Sequence, residues 1–342
     1  MKYKKNKNDK IILGVESSCD ETSVAVVVNG RTVLSNIISS QIDIHKIYGG
    51  VVPEIASRNH VKNIDVVFLE ALKEAGIEKE DIDAVAVAYG SGLMGALIVG
   101  VSFAKTLAYI LGVPLIAVNH IEGHIASNYI SHQELKPPFL SLVVSGGHTA
   151  LFAVETFTQK KLVESTSDDA IGEAFDKVAR ECGLAYPGGP NIQKQAELGE
   201  ANIDFIKKPQ SKNMSFSYSG LKTAVINYIH NKKQKGEEIN VPNICASFQK
   251  QAVEIVSRKA IEMCKKLKMD KIVLAGGVSA NKFLREDLEE KAKEFGIQII
   301  YSPLVLCTDN AAMVASQGYF MLIENKGIAD LSLSPNPNIP LE

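Results

Sequence analysis

Residues 11–15, 23–28 and 32–38 are short apolar runs that read as three strands, with Asn29-Gly30 as a hairpin turn between the last two. Pro53 opens a helical pattern running past Leu72; residues 84–88 read as a buried strand, 93–111 as a helix and 115–118 as another strand. The predicted order is βββαβαβ. A comparable order returns later, with strands over 139–144, 150–154 and 162–165, a helix over 170–182, a strand over 272–275 and a helix over 281–295. A Gly-, Ser- and Lys-rich insertion over about 185–235 interrupts it. Two echoes agree with a duplication: strand, polar turn and Thr-bearing strand at 16–22 and 145–149, and strand–glycine–helix at 89–92 and 275–277. The expectation is an α/β chain of two related lobes with the ligand in the cleft between them. Residues 11–119 with about 309–342 would form the first lobe, and 120–308 the second.

At 342 residues, 46% hydrophobic and 22% charged, the chain has the composition of a folded enzyme long enough for two cores. Its net charge of −2 lacks the excess of a general nucleic-acid binder, so any such contact must be local. The five cysteines are scattered and form no CxxC pair, which argues against a disulfide framework or a thiolate zinc site and fits a reducing, cytoplasmic setting. The Lys- and Asn-rich start does not read as a secretory signal. The most apolar stretch, 99–119, contains Lys105, Gly112 and Pro114, and reads as a buried helix followed by a strand rather than a membrane span.

The sharpest chemical signal is Asn119-His120-Ile121-Glu122-Gly123-His124. Two imidazoles four residues apart share one helix face and can reach one cation, although a surface or capping role for each is the plainer alternative. Glu122 is misplaced for the HExxH base of a zinc protease. Asp309, in Cys307-Thr308-Asp309-Asn310, is either a third, oxygen ligand or a helix N-cap. Ser145-Gly146-Gly147-His148 and Gly276-Gly277-Val278-Ser279 end strands in glycine turns that could admit a phosphate or simply reverse the chain. Asn281 is an N-cap or an adenosine contact. Tyr186-Pro187-Gly188-Gly189-Pro190 is a linker or a clamp acting with Asp176. Glu16, Asp20 and Glu21 form an acidic run that could position a metal, a base or an amine, or lie in a solvated loop; Asp168, Asp169, Glu173 and Asp176 form a second, unless Asp168 and Asp169 only favour a helix N-terminus. Lys207, Lys208, Lys212 and Lys222, with Phe216 and Tyr218, make the best nucleic-acid patch, against the commoner fate of solvated surface.

Taken in order, the motifs at 14–22, 119–124, 144–149, 172–177, 186–190, 219–224, 275–281 and 307–310 span nearly the whole chain. Together they closely resemble the bacterial tRNA N6-adenosine threonylcarbamoyltransferases. The resemblance implies a two-lobed actin/Hsp70/sugar-kinase (ASKHA, ribonuclease H-like) fold. It also implies transfer of threonylcarbamoyl from threonylcarbamoyl-AMP to N6 of adenosine 37 in tRNAs reading ANN codons, with release of AMP. Carried over by residue, His120, His124 and Asp309 match the family's ligands to one divalent ion, Fe2+ or Zn2+, and Val143, Val144, Ser145, Gly146, Gly147, Asp176, Gly189 and Asn281 match its contacts to the adenine-nucleotide substrate. Asp20 or Glu21 would orient or deprotonate the amine. The implied partners are tRNA, a catalytically silent paralogue (TsaB) forming a heterodimer, and a small P-loop ATPase (TsaE), with no membrane. Three positions depart from the family pattern: Ser91 for a common Pro, Gln193 for a substrate-contacting Asp, and Ala311 for a Gly. The rival readings are a metalloprotease, a kinase or ATP-hydrolysing chaperone on the same fold, and a non-catalytic scaffold.

Overall fold

The computed structural model describes residues 3–206 and 216–340. The chain runs β1 (Ile11–Glu16), β2 (Glu21–Val28), β3 (Thr32–Ser40), α1 (Ile42–Lys46), α2 (Pro53–Ala75), β4 (Ala84–Gly90), α3 (Met94–Leu111), β5 (Leu115–Asn119) and α4 (His120–Ser131). It continues through β6 (Phe139–Val144), β7 (Thr149–Val154), β8 (Lys160–Ser165), α5 (Ile171–Glu181), α6 (Gly188–Ala196), α7 (Ser219–Gln234) and α8 (Val241–Lys266). It ends with β9 (Lys271–Ala275), α9 (Lys282–Lys293), β10 (Gln298–Tyr301), α10 (Leu304–Cys307), α11 (Ala311–Ile323) and β11 (Ile328–Ala329).

Two compact units result, one of Met1–Pro138, Val154–Lys160 and Ser302–Glu342, the other of Phe139–Ala153 and Lys161–Tyr301. The first sheet has the order β11-β5-β4-β1-β2-β3 and the second β10-β9-β6-β7-β8. Apart from the edge strand β11, the two orders correspond strand for strand, and in each the first strand runs parallel to the fourth. The duplicated βββαβαβ pattern is therefore a duplicated sheet.

In the first unit both sheet faces are buried, which is why its strands read as unbroken apolar runs rather than alternating ones. Ile11, Leu13 and Val15 point to the side covered by α2 and α3, where Ile64, Val67, Val101 and Leu107 meet them. Ile12, Ala25, Val27, Ala86 and Ala88 point to the other side, against Ala311, Val314 and Ala315 of α11. The small side chains there let α11 come close: a Cβ on Gly14 would stand 2.2 Å from the Ala311 carbonyl oxygen, and one on Gly318 2.4 Å from the Ala86 Cβ. By length and composition α3 could cross a membrane. It packs Leu97, Val101, Ala104 and Leu107 into the core, however, and leads through Gly112, in the left-handed region that ends helices, into the internal strand β5.

Two expectations move. The unit boundary falls after Pro138 rather than after Asn119, because α4 packs against α11 and β5 of the first unit. The presumed insertion carries α6 and α7, and Phe216 and Tyr218 are fully buried in the second unit's core, so neither ring can stack on a base. Lys222 is tied to Asp169, while Lys207, Lys208 and Lys212 lie outside the described residues.

Candidate functional site

Asn119 ends β5 and caps α4, its Oδ1 accepting from the Ile121 backbone N–H at 2.9 Å. The helix thus begins at His120, and one turn on His124 lies on the same face, with ring centroids 4.6 Å apart and planes at 83°. The N-cap of α11 is Asn310, whose Oδ1 accepts from Met313 N at 3.1 Å. Asp309, just before that cap, faces the histidines. Its Oδ1 lies 3.1 Å from His124 Nε2 and 3.5 Å from His120 Nε2, and donor atoms of the three side chains all fall within 4.8 Å of one another.

The donor set fits a divalent ion. His124 is 1% exposed, and both its ring nitrogens are buried without a hydrogen-bond partner among the described residues, so Asp309 Oδ1 is close but out of line for one. Buried polar atoms are rarely left so unless something else binds them. Two imidazoles and a carboxylate are a three-ligand set of the kind that leaves a position open for substrate.

The acidic run packs around this cluster rather than in a solvated loop. Glu16 is fully buried, with Oε1 accepting from Ser18 N at 2.5 Å and Oε2 2.9 Å from His120 Nδ1. Burial pulls His120 down, but the charges of Glu16 and Asp309 outweigh it and bring the imidazole up to about 9. Ser18 Oγ lies 3.2 Å from that same Nδ1, so Ser18, His120 and Glu16 do not form the relay of a serine hydrolase, which needs both ring nitrogens. Asp20 is 5% exposed and its Oδ2 has no partner among the described residues. Burial, then the charges of Asp309 and Asp20, push the half-buried Glu21 up to about 10. Burial and Asp20 raise the Cys19 thiol, which disfavours the thiolate.

The other predicted contacts lie in the second unit. Ser145 N donates to His148 O at 2.8 Å and closes the turn after β6, leaving Gly146 and Gly147 exposed at its tip with nothing among the described residues within 4 Å of their Cβ positions. Val143 and Val144 are fully buried strand residues, so only their backbone can reach a ligand. Gly172 and Gly276 crowd this turn, each with a Cβ position 2.5 Å from a carbonyl oxygen, of Ser145 and of Val144. Three glycine segments therefore meet at the end of β6. Asn281 caps α9 through Leu284 N and donates to Gln249 Oε1, each at 2.9 Å. Asp176 Oδ1 accepts from Gly188 N at 2.7 Å, fixing the turn that presents the open Gly189. Gln193 Oε1 accepts from Lys282 N at 2.9 Å. Asp168 anchors Ser217 Oγ and Tyr218 N, and Asp169 pairs with Lys177, so the second acidic cluster is structural. The sequence reading missed the tie between Glu16 and His120, which a carboxylate closing an otherwise apolar strand could have signalled.

A family model for tRNA N6-adenosine threonylcarbamoyltransferase (TsaD) matches residues 32–316. A protein of that name from Clostridium perfringens (strain SM101 / Type A) is 55% identical over 338 residues, 98% of this chain and 99% of the relative. One from Clostridium botulinum (strain Kyoto / Type A2) is 52% identical over 334 residues, 96% and 97% of the two chains. Among solved structures, HypF from T. kodakarensis aligns with a TM-score of 0.63 at 14% identity, over 95% of this chain and 49% of that one. The (R)-2-hydroxyglutaryl-CoA dehydratase component A of Acidaminococcus fermentans gives 0.53 at 14%, over 92% and 99%. These likenesses bear on the fold, which is the α/β actin/Hsp70/sugar-kinase type. Sequence similarity along almost the whole length carries the assignment further: the chain belongs to the tRNA N6-adenosine threonylcarbamoyltransferase family.

Proposed function

We propose that this chain transfers the threonylcarbamoyl group from threonylcarbamoyl-AMP to N6 of adenosine 37 in tRNAs reading ANN codons, in the cytoplasm, with release of AMP. The observation that carries the reading is the His120–His124–Asp309 cluster, set on the framework of a chain 55% identical to a named transferase of this kind. In the step itself the adenosine amine attacks the carbamoyl carbon, the new N–C bond forms, and the C–O bond to AMP breaks. No serine or cysteine nucleophile is needed, in keeping with the raised Cys19 thiol and the unrelayed Ser18.

His120, His124 and Asp309 would hold one Fe2+ or Zn2+, which when bound supplies Lewis-acid polarisation of substrate oxygens. The open turn of Ser145, Gly146 and Gly147, with the backbone of Val143 and Val144, would cradle the adenylate phosphate through main-chain N–H groups. Gly189, held by Asp176, and the edge beside Asn281 would flank the nucleoside. Asp20, with a buried unpartnered oxygen, is the better acceptor for the amine proton, and Glu21, held protonated in the metal-free chain, the better donor.

The silent paralogue would dock on the first unit. Val61, Val66 and Leu69 of α2 and Met94, Ile98 and Ile110 of α3 are exposed apolar side chains that such a partner would cover. The P-loop ATPase would join that pair.

The test incubates the chain and these helpers with threonylcarbamoyl-AMP and unmodified tRNA, with and without chelator, and looks for the modified nucleoside. Product that disappears with chelator supports the reading. No product in any helper combination overturns it, and Asp20→Ala at full rate would remove the role given to Asp20.

A further inference from the structure

We propose that Glu16 is the positioning residue of the histidine–aspartate cluster, its buried carboxylate holding His120 in the tautomer and ring orientation that leave Nε2 free beside His124 and Asp309. The inference rests on the reading that this cluster binds a metal ion.

A carboxylate that is 0% exposed is costly to keep in a fold unless its oxygens are engaged. Those of Glu16 are. Oε1 takes the Ser18 backbone N–H at 2.5 Å and Oε2 lies 2.9 Å from His120 Nδ1, so the residue is committed within the protein and is poorly placed to act on a substrate. Asp20 differs, having a buried oxygen without a partner among the described residues. Adjacent carboxylates of one motif thereby divide their work.

The two nitrogens of an imidazole are coupled. A proton kept on Nδ1 by an acceptor leaves the lone pair on Nε2, and an anionic acceptor also makes that lone pair more basic. In His120 the bonded nitrogen faces Glu16, and the opposite one lies 3.5 Å from Asp309 Oδ1. His124 has no carboxylate at Nδ1, which is buried and unbonded among the described residues. His120 is thus the ligand preset by the protein. Its orientation matters because it stands at the first position of α4, where no preceding turn of that helix restrains the ring. Ser17 completes the arrangement: its Oγ donates to Ala96 O at 2.9 Å and pins the bend that turns the Ser18 N–H back toward Glu16.

The experiment uses the full chain stripped of metal. Zn2+ affinity is measured by competition with a chromogenic chelator for wild type, Glu16→Gln, Glu16→Ala and His124→Ala, alongside thermal unfolding of each metal-free protein. Glu16→Ala should weaken Zn2+ binding by about 10- to 100-fold, and Glu16→Gln by less, because the amide oxygen still accepts from Nδ1. Imidazole 15N spectra of the Zn2+-loaded wild type, which need no variant to fold, should show His120 protonated at Nδ1 and metal-bound at Nε2. Affinities within about twofold of wild type in both Glu16 variants would overturn the proposal, as would a His120 protonated at Nε2. A wild type that binds Zn2+ no better than His124→Ala overturns the metal reading beneath it. That outcome is distinct from tight wild-type binding that the Glu16 variants fail to weaken.

Discussion

Gly14 lies at the point where α11 touches β1, and replacing it with alanine tests whether that contact sets the position of Asp309. The new methyl would sit 2.2 Å from the Ala311 carbonyl oxygen and 2.9 Å from the Ala315 N and Cβ, against 3.4 Å or more for ordinary contact. Backbone cannot swing aside as a flexible side chain can, so the start of α11 must retreat by about 1 Å, and overpacking of this kind costs about 1–3 kcal/mol. Asp309 stands just before that helix, and metal–ligand distances tolerate only about 0.2 Å. Gly14→Ala should therefore lose about 1–3 kcal/mol in urea unfolding and at least about tenfold in Zn2+ affinity. Gly318→Ala is the control. Its methyl meets Ala86 Cβ at 2.4 Å further along the same helix, so it should destabilise the fold comparably while sparing metal affinity. Unchanged stability and affinity in Gly14→Ala, or an equal affinity loss in both variants, would refute the reasoning.

Gly147→Ala meets nothing within 4 Å among the described residues, so its unfolding free energy should match wild type to within about 0.5 kcal/mol while calorimetric affinity for an adenylate falls, provided that turn admits the phosphate. Phe216→Ala should cost about 3–5 kcal/mol of stability, seen in thermal melts, because the ring is core and not a stacking platform. In the metal-free chain His120 is raised to about 9, so below that pH Nε2 carries a second proton that binding displaces while Glu16 keeps the one on Nδ1, and Zn2+ affinity should climb with pH, by up to about tenfold per unit, and level off near 9. The same shift stabilises the metal-free fold in full below about pH 6.5 and is lost as pH rises through 9, which urea melts across that range would show.

Where burial followed strand or helix periodicity, the elements were legible before the structure. Residues 11–15, 84–88 and 139–144 became β1, β4 and β6 with ends shifted by a residue or two at most. Helix α8, the longest, was missed. Its buried face includes Cys245, Ser247, Gln249 and Ser257 beside Ile244, Phe248 and Val253, so small and polar side chains break up the apolar stripe. The Hx3H spacing placed His120 and His124 together because one helix fixes that geometry. Asp309 stood open between third ligand and helix N-cap until the resemblance paired it with the histidines, since a contact spanning so much sequence leaves no local pattern. For Glu16 the sequence left a site role and a solvated loop both open, and burial, which sequence does not display, decided between them by giving it a partner. Phe216 and Tyr218 misled for the opposite reason: rings among lysines look like a binding stripe until the core claims them.

The order in which the chain is made bears on the close fit of α11. One face of the first sheet, with Ile12, Val27, Ala86 and Val118, completes its cover only when residues 311–323 join α4 on it, after the whole second unit has been synthesised. Until then a ribosome-bound chain presents an apolar sheet face together with two of its three cluster ligands. Nascent chains halted near Tyr301 should bind hydrophobic dyes and general chaperones and fail to retain zinc, and release of the last segment should end both behaviours at once. On this reading the arrival of α11 joins completion of the core to completion of the cluster.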